Sequence, residues 1–264
     1  MLMEVKNQIN VTLKSIKYSI MKEMLNKGTF LMNIFFMILN DASFIIQWII
    51  IYNIKEDVGG YTFNQVLLLW GIAAGIFGVS RFLFKNAFHL SDFITNGKLD
   101  SYLVQPKNVL LAVISSSSDS SALGDIFYGY ILVFLSGFTV IKFLLFTLFM
   151  ITGAIIVTDI AIILGSLSFW INRSDILADT GNGLMTNFAT YPDGIFKGSA
   201  RAMLYSIIPV GVTVYMPVQV LTSFNYSMFF IINVITLILT FFTFFIFYKG
   251  LRKYSSSNLM FSKI

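Results

Sequence analysis

Long apolar stretches alternate with shorter polar segments along the whole chain. Most of these stretches approach or exceed the ~20 residues that a helix needs to cross the hydrocarbon core of a bilayer. The six apolar stretches are 29–51, 62–80, 123–141, 143–170, 203–221 and 228–248. None alternates apolar and polar positions over about ten residues, as the strands of an outer-membrane barrel do. The pattern predicts an all-α, polytopic membrane protein with six transmembrane helices.

Composition agrees with lipid as the solvent, since 56% of the 264 residues are hydrophobic and only 12% are charged. The chain has no cysteine and one histidine, His89, which excludes disulfides, a thiol nucleophile and a two-histidine metal site. It has neither a G-x-x-x-x-G-K-[ST] phosphate loop nor a G-x-S-x-G elbow. We therefore expect no catalytic residues, no metal and no cofactor in this chain.

The basic residues predict the orientation. All of the 18 Lys and Arg residues except Lys55 and Lys142 fall in four segments that lie on one side of a six-span arrangement. By the positive-inside rule that side is the cytoplasm, so both termini are predicted to be cytoplasmic. The net charge of +5 is then a topology signal rather than a nucleic-acid footprint.

The N-terminal segment carries apolar residues at spacings of three and four. These residues are Ile9, Leu13, Ile16, Ile20 and Met24. The spacing predicts an amphipathic cytoplasmic helix within 1–28 that lies on the inner leaflet, either as a simple leader or as a docking element. We expect a single transmembrane domain over 29–250, with a long cytoplasmic segment at 85–121, and a cytoplasmic tail at 251–264.

The cytoplasmic segment 85–121 contains a short helical pattern bracketed by Gly97 and Pro106. Glycine can end the preceding helix, and the residue before proline avoids helical geometry. Leu99 and Leu103 are four residues apart, so a helix would place both on one face, with Tyr102 beside them. Such a helix suits a groove on a soluble partner, although an ordinary surface loop also fits the pattern.

This segment resembles the G-x-L-D/E-x-x-L-x-x-P signature of type-2 ABC exporter permeases. The matching residues are Gly97, Leu99, Asp100, Leu103 and Pro106. In that family the signature lies between the second and third spans and forms a coupling helix that docks on the ATP-hydrolysing subunit. The resemblance implies that these residues, with Tyr102, contact an ATPase.

A second stretch is similar to a subgroup of these permeases with a Tyr-Pro motif near the fifth span and prolines before the last span. Its residues here are Tyr191, Pro192, Phe196, Arg201, Pro209, Tyr215 and Pro217. Hydropathy alone makes 203–221 the fifth span. The resemblance instead implies a fifth span at about 176–198 and a re-entrant segment at 203–222, in which Tyr191, Pro192, Pro209, Gly211 and Pro217 take part.

The resemblance implies a permease subunit of an ATP-binding cassette exporter in a bacterial cell membrane. It would work among membrane lipids with an ABC ATPase subunit, which binds ATP and Mg²⁺, and with a second permease, identical or related. Two other hypotheses stay open. One is a membrane-embedded enzyme that acts on a lipid with Asp41 and Asp159 as acids, and the other is a passive channel. Drugs, peptides and lipid-linked molecules all remain candidate substrates.

Polar side chains recur every seven residues in two of the predicted spans. They are Asn33, Asn40 and Gln47, next to Asp41, in the first span, and Thr152, Asp159 and Ser166 in the fourth. A charged aspartate at the bilayer centre costs ~2.5–3.5 kcal/mol on insertion scales. These residues either line a translocation path or a subunit interface, or form hydrogen bonds between helices.

Three glycines, Gly71, Gly75 and Gly78, make a face of small residues on the second span. Small residues let two helices approach closely within a membrane. The sequence therefore predicts a close helix contact at this face, either with another span of the same chain or with a second permease.

Because the chain has no cysteine, single reporter cysteines can test the topology. In intact cells, we expect Lys6→Cys, Lys98→Cys and Lys253→Cys to be shielded from an impermeant thiol reagent and Asp57→Cys to react. Labelling of Lys98→Cys from outside would overturn the arrangement. Ser199→Cys separates the two versions of the fifth span, because it reacts if 203–222 is re-entrant and is shielded if 203–221 crosses.

Overall fold

The computed structural model describes residues 2–171 and 174–255. Two of the basic residues used to predict the orientation, Arg173 and Lys263, lie outside the described residues. So does the whole tail beyond residue 255. The described part contains twelve α-helices and, apart from an isolated bridge between Val58 and Tyr61, no β-structure. The helices are α1 (Leu2–Glu23), α2 (Lys27–Ile54), α3 (Phe63–Phe84), α4 (Leu90–Thr95), α5 (Asp100–Leu103), α6 (Val109–Ile114), α7 (Ala122–Leu135), α8 (Val140–Ser166), α9 (Ser174–Phe188), α10 (Ser199–Ser206), α11 (Met216–Thr222) and α12 (Tyr226–Leu251).

Four helical stretches in the described residues are long and apolar enough to cross a membrane. They are α2, α12, the run Phe63–Thr95 that begins with α3, and the run Val140–Phe169 that contains α8. A fifth is added only if Ser199–Ser206 and Gly211–Thr222, which are bent by 76° relative to each other, count as one span. The prediction of an all-helical membrane protein is confirmed, with four or five helices that meet the length and hydropathy test.

Helix α3 is the centre of the bundle and packs mainly on α7 and α8. Its glycines allow this close approach. A Cβ added to Gly129 of α7 would lie 2.7 Å from the carbonyl oxygen of Gly71, and one added to Gly75 would lie 2.7 Å from the Sδ of Met150 in α8. One added to Gly78 would lie 2.9 Å from the carbonyl oxygen of Ala122. The face of small residues therefore contacts helices of the same chain.

Helix α2 packs along α7 and contacts α3 much less. A Cβ added to Gly124 of α7 would lie 2.7 Å from the carbonyl oxygen of Ile34, and the Tyr128 hydroxyl donates to the Asp41 carbonyl at 3.0 Å. Since α7 holds α2 away from much of α3, a cleft forms between α2, α3 and α9.

Helix α9 joins the two ends of the bundle. At its start, Ser174 hydrogen-bonds to Ser168, which also bonds to Ser91 at 2.7 Å beside the cytoplasmic segment. Beyond its other end, Gly194 lies against the backbone of Gly59 in the loop between α2 and α3. The predicted segment 176–198 thus spans the distance between the cytoplasmic segment and the α2–α3 loop.

Helix α1 covers the cytoplasmic segment with polar side chains. Ser15 donates to the Ser115 carbonyl at 3.0 Å, and the Ser19 and Ser118 hydroxyls lie 2.6 Å apart. Ile9 is 53% exposed on the predicted apolar stripe. The predicted stripe is thus exposed at Ile9, whereas Ile16 and Ile20 are half-buried.

We predict that Gly129→Ala lowers the melting temperature of the purified protein. Its Cβ would meet the Gly71 carbonyl oxygen at 2.7 Å, and overpacking of this kind typically costs about 1–3 kcal/mol. Gly183→Ala in α9 is the matched control, because its Cβ meets no atom within 4 Å. It removes the helix penalty of glycine, about 1 kcal/mol, and should keep or raise the melting temperature. Equal melting of Gly129→Ala and the wild type would contradict the packing described.

Candidate functional site

A cleft of about 710 Å³ lies between α2, α3, α7 and α9. Three of the predicted path residues line it, namely Asn40, Asp41 and Gln47 of α2. Arg81 of α3 and Asp125 of α7 complete its charged lining. The volume falls within the roughly 300–1,000 Å³ typical of small-molecule sites.

Asp41 of α2 and Asp125 of α7 line the cleft together, on two helices that pack against each other. Asp41 is 8% exposed and Asp125 is 4% exposed. One oxygen of each carboxyl, Oδ2 of Asp41 and Oδ1 of Asp125, has no hydrogen-bond partner. Two buried carboxylates repel each other, so the pair needs a shared proton or a positive charge to be stable.

Aromatic rings form much of the remaining wall. Phe44 and Trp70 stack with ring centroids 5.2 Å apart, and Trp48 meets Tyr191 edge-to-face at 6.3 Å. All four line the cleft. The site therefore combines a large apolar surface with a small buried cluster of charges.

A second cavity of about 390 Å³ lies beside the cleft, and Arg81 and Thr186 line both. Lys85 and Asp119 form an ion pair of 3.3 Å in its wall. Burial disfavours the charge on Asp119, but hydrogen bonds from Ser121 and the charge of Lys85 outweigh it and lower its pKa. The two cavities together extend from the cytoplasmic segment into the bundle.

The other predicted path residues do not reach the cleft. Asn33 donates to the Ser120 hydroxyl at 3.1 Å, near the end of the cytoplasmic segment. Asp159 accepts a hydrogen bond from Thr240 of α12 at 2.7 Å. Thr152 and Ser166 are also buried within the bundle. Of these three α8 residues, Asp159 is bonded to another helix, whereas the Thr152 hydroxyl donates to the Phe149 carbonyl of its own helix at 3.3 Å.

The cytoplasmic segment forms the short helix α5 after Gly97, whose φ of 68° ends the preceding helical path. The expectation that Leu99 and Leu103 face a partner together does not fit the structure. Leu99 is fully buried in the chain's own apolar cluster, whereas Leu103 is 40% and Val104 is 83% exposed. Leu99 is the N-cap of α5 and its carbonyl accepts a hydrogen bond from the Leu103 N–H at 3.0 Å, so the two leucines lie one turn apart but differ in burial.

Two tyrosines hold this segment in place. The Tyr102 hydroxyl donates to Ser116 at 3.1 Å, and the Tyr254 hydroxyl donates to the Asp100 carboxylate at 2.9 Å. Burial and the negative charge of Asp100 raise the pKa of Tyr254 above its ordinary value. Pro106 is exposed just beyond α5. The segment is therefore a fixed projection with an apolar tip.

An ion pair fixes the opposite end of α9. Asp193 is 2% exposed and accepts hydrogen bonds from Arg201 Nη2 at 2.6 Å and from the Tyr205 hydroxyl at 2.9 Å. The Tyr205 ring occupies the space that a Cβ on Gly211 would take. These contacts tie the bent pair of helices to the end of α9.

The residues predicted for the re-entrant segment precede and follow this ion pair along the chain. Tyr191 is in the cleft wall, and Pro192 precedes the turn that carries Asp193. The Pro209 carbonyl accepts a hydrogen bond from Thr213 at 3.0 Å, and Pro217 is buried in the first turn of α11.

Sequence reasoning missed Asp125, and it considered Arg81 only for topology. A charged residue inside the apolar stretch 123–141 was the available signal for Asp125. Within residues 2–171 and 174–255, no cluster of three or more acidic or histidine side chains could hold a metal ion.

The comparisons with known proteins give one match. A family model described as ABC-2 family transporter protein matches residues 38–258. No curated protein matches the chain, and no solved structure matches it. The matched range covers most of the chain and includes the cleft lining apart from Met37, the cytoplasmic segment and the ion pair at the end of α9. The chain therefore belongs to the ABC-2 family of transporter proteins.

Proposed function

We propose that this chain is the permease subunit of an ATP-binding cassette exporter, driven by ATP hydrolysed in a separate subunit. The observation that carries the proposal is the fixed cytoplasmic projection with exposed Leu103 and Val104, in a chain of the ABC-2 family. An apolar tip held by hydrogen bonds fits a groove on a soluble partner. ATP and Mg²⁺ belong to that partner, which is an ABC ATPase.

In the proposed topology six of the described helices cross the membrane, namely α2, α3, α7, α8, α9 and α12. The ends of α9 support its inclusion, since Ser174 contacts Ser168 and the chain after the helix reaches Gly59. Its polar residues also have an aqueous environment, because Asp179 and Asn182 line the second cavity. Polar residues within membrane spans generally face such cavities.

The segment Ser199–Thr222 is then a re-entrant hairpin on the outer side. A Cβ on Gly153, near the middle of α8, would lie 3.4 Å from the carbonyl oxygen of Thr213. The hairpin thus enters the bundle to about half the length of α8 and returns. Irregular backbone at this depth is tolerated because protein covers it, and the turn Gly211–Tyr215 is fully buried.

In this topology both termini face the cytoplasm of a bacterial cell. Lys197 and Arg201 join Lys55 and Lys142 on the outer side, and the other 14 of the 18 basic residues stay inside. Tyr191 and Pro192 stand where the subgroup of permeases with a Tyr-Pro motif carries it, which supports membership of that subgroup.

A second permease, identical or related, completes the transporter. Helix α2 supports this assignment because its exposed apolar side chains include Phe35 and Phe36, beside the polar residues of the cleft. The cleft is the part of the translocation path that this chain contributes.

Leu99 links the docking segment to the spans. It lies in an apolar cluster with Leu90 of α4, Leu110 of α6, Ala161 of α8 and Phe247 of α12. When ATP brings the ATPase subunits together, a force on α5 passes through this cluster to α8 and α12. Buried Leu99 thus transmits the movement, and exposed Leu103 and Val104 make the contact.

We predict that the double variant Leu103→Ser/Val104→Ser loses the ATPase. Full burial of an aliphatic side chain contributes roughly 1.5–3 kcal/mol, and 1.4 kcal/mol is about tenfold in affinity. The measurement is co-purification of the ABC ATPase, identified by mass spectrometry, after mild detergent extraction.

The matched control is Ile54→Ser, because Ile54 is 84% exposed and Val104 is 83% exposed. Ile54 is the last residue of α2 and lies in a different part of the chain from α5. It should keep the ATPase. Retention of the ATPase by the double variant would remove α5 as the docking element. If the wild type itself brings down no ABC ATPase, the exporter proposal fails.

A further inference from the structure

The lining of the cleft combines two features that together indicate which chemical class of ligand fits it. One is the pair Asp41 and Asp125, and the other is the surrounding aromatic wall. We propose that the cleft binds a hydrophobic organic monocation, with its charge at the Asp41–Asp125 pair and its apolar body between the aromatic rings. The inference rests on the proposed function, because it names the substrate class of the same path.

The acidic pair is built to receive a positive group. Both carboxyl groups are more than nine-tenths buried and line the cleft, and each has an oxygen without a hydrogen-bond partner. A buried polar atom without a partner is costly, so a ligand that supplies a charge or a donor there is stabilised. The hydroxyl of Tyr128 donates to the Asp41 backbone and leaves the carboxyl available.

The charged side chains of the cleft favour a ligand with one positive charge. A bound cation would take the place of the proton that the two carboxyl groups otherwise share. With both carboxyl groups ionised, they and the guanidinium of Arg81 carry a net charge of minus one in the cleft. Arg81 also lies over the rings of Phe77 and Phe88, at 5.8 and 5.7 Å from their centroids. A monocation neutralises the remaining charge, whereas an anion would add an uncompensated buried charge, which is strongly unfavourable.

The aromatic wall favours a bulky apolar body on that cation. Phe44, Trp48, Trp70 and Tyr191 offer ring faces and edges around the charged cluster. Cations are attracted to aromatic faces, most strongly to tryptophan, and the attraction grows when water is excluded. A small hydrated metal ion would leave this apolar surface unused.

The test uses tetraphenylphosphonium as the cation and tetraphenylborate as its anion of matching shape. Both are added in radiolabelled form to the purified transporter in nanodiscs, and binding to empty nanodiscs is subtracted. We expect saturable binding of tetraphenylphosphonium and at least about tenfold weaker binding of tetraphenylborate at the same site. This comparison needs only the wild type, so it holds even where a variant folds poorly.

Single variants then test whether the Asp41 and Asp125 carboxylates bind the positive charge of the ligand. Asp41→Asn and Asp125→Asn keep the shape and remove the charge, and each should weaken cation binding by about tenfold or more. Asp159→Asn is the matched control, because Asp159 is also buried but hydrogen-bonds to Thr240 away from the cleft. It should bind the cation like the wild type.

Three results would overturn the inference: no saturable cation binding, equal binding of the anion, or wild-type affinity in the double variant Asp41→Asn/Asp125→Asn. None of these results affects co-purification of the ATPase. Conversely, carboxylate-dependent cation binding without an associated ATPase would retain this site and reject the exporter.

Discussion

The close contact between α3 and α7 is the constraint on which the rest of the bundle depends. In lipid, burial of apolar side chains gives little drive for helix association, so backbone approach and van der Waals packing hold helices together. Gly71 and Gly129 provide that approach by removing the side chains that would separate the two backbones. Helix α2 packs on α7 at Gly124 in the same way. Since α7 contacts both neighbours, α2 and α3 stay apart elsewhere, and the cleft is the space between them.

The same contact brings the charges together. Asp41 on α2 and Asp125 on α7 meet where these helices pack, and Arg81 extends from α3 into the same space. Polar groups that would be costly in lipid are thus collected in one cavity. Beside α5, buried Leu99 packs in one apolar cluster with Ala161 of α8 and Phe247 of α12, so the proposed docking segment is in contact with these two helices.

The sequence predicted the elements with long apolar runs and missed those whose environment is set by tertiary contacts. Lengths and hydropathy were enough for α2, α3, α8 and α12. Helix α9 has no such signal, because Asp179 and Asn182 face a cavity instead of lipid. Spacing placed Leu99 and Leu103 together on a surface for a partner, but tertiary contacts bury Leu99 in the chain's own apolar cluster and leave Leu103 40% exposed. Asp125 could have been suspected from its apolar surroundings, but its pairing with Asp41 requires the three-dimensional contact.

We expect ATP in the proposed partner subunit to change access to the cleft, and Thr186 is placed to report this change. Thr186 lines both cavities and the chain has no cysteine, so Thr186→Cys is a single probe at their junction. The measurement is its rate of labelling by a small thiol reagent in the purified complex, without nucleotide and after trapping with ATP and vanadate. We expect the labelling rate of Thr186→Cys to differ several-fold between the two states, with an unchanged rate for Asp57→Cys in the α2–α3 loop. The same rate for Thr186→Cys in both states would contradict it.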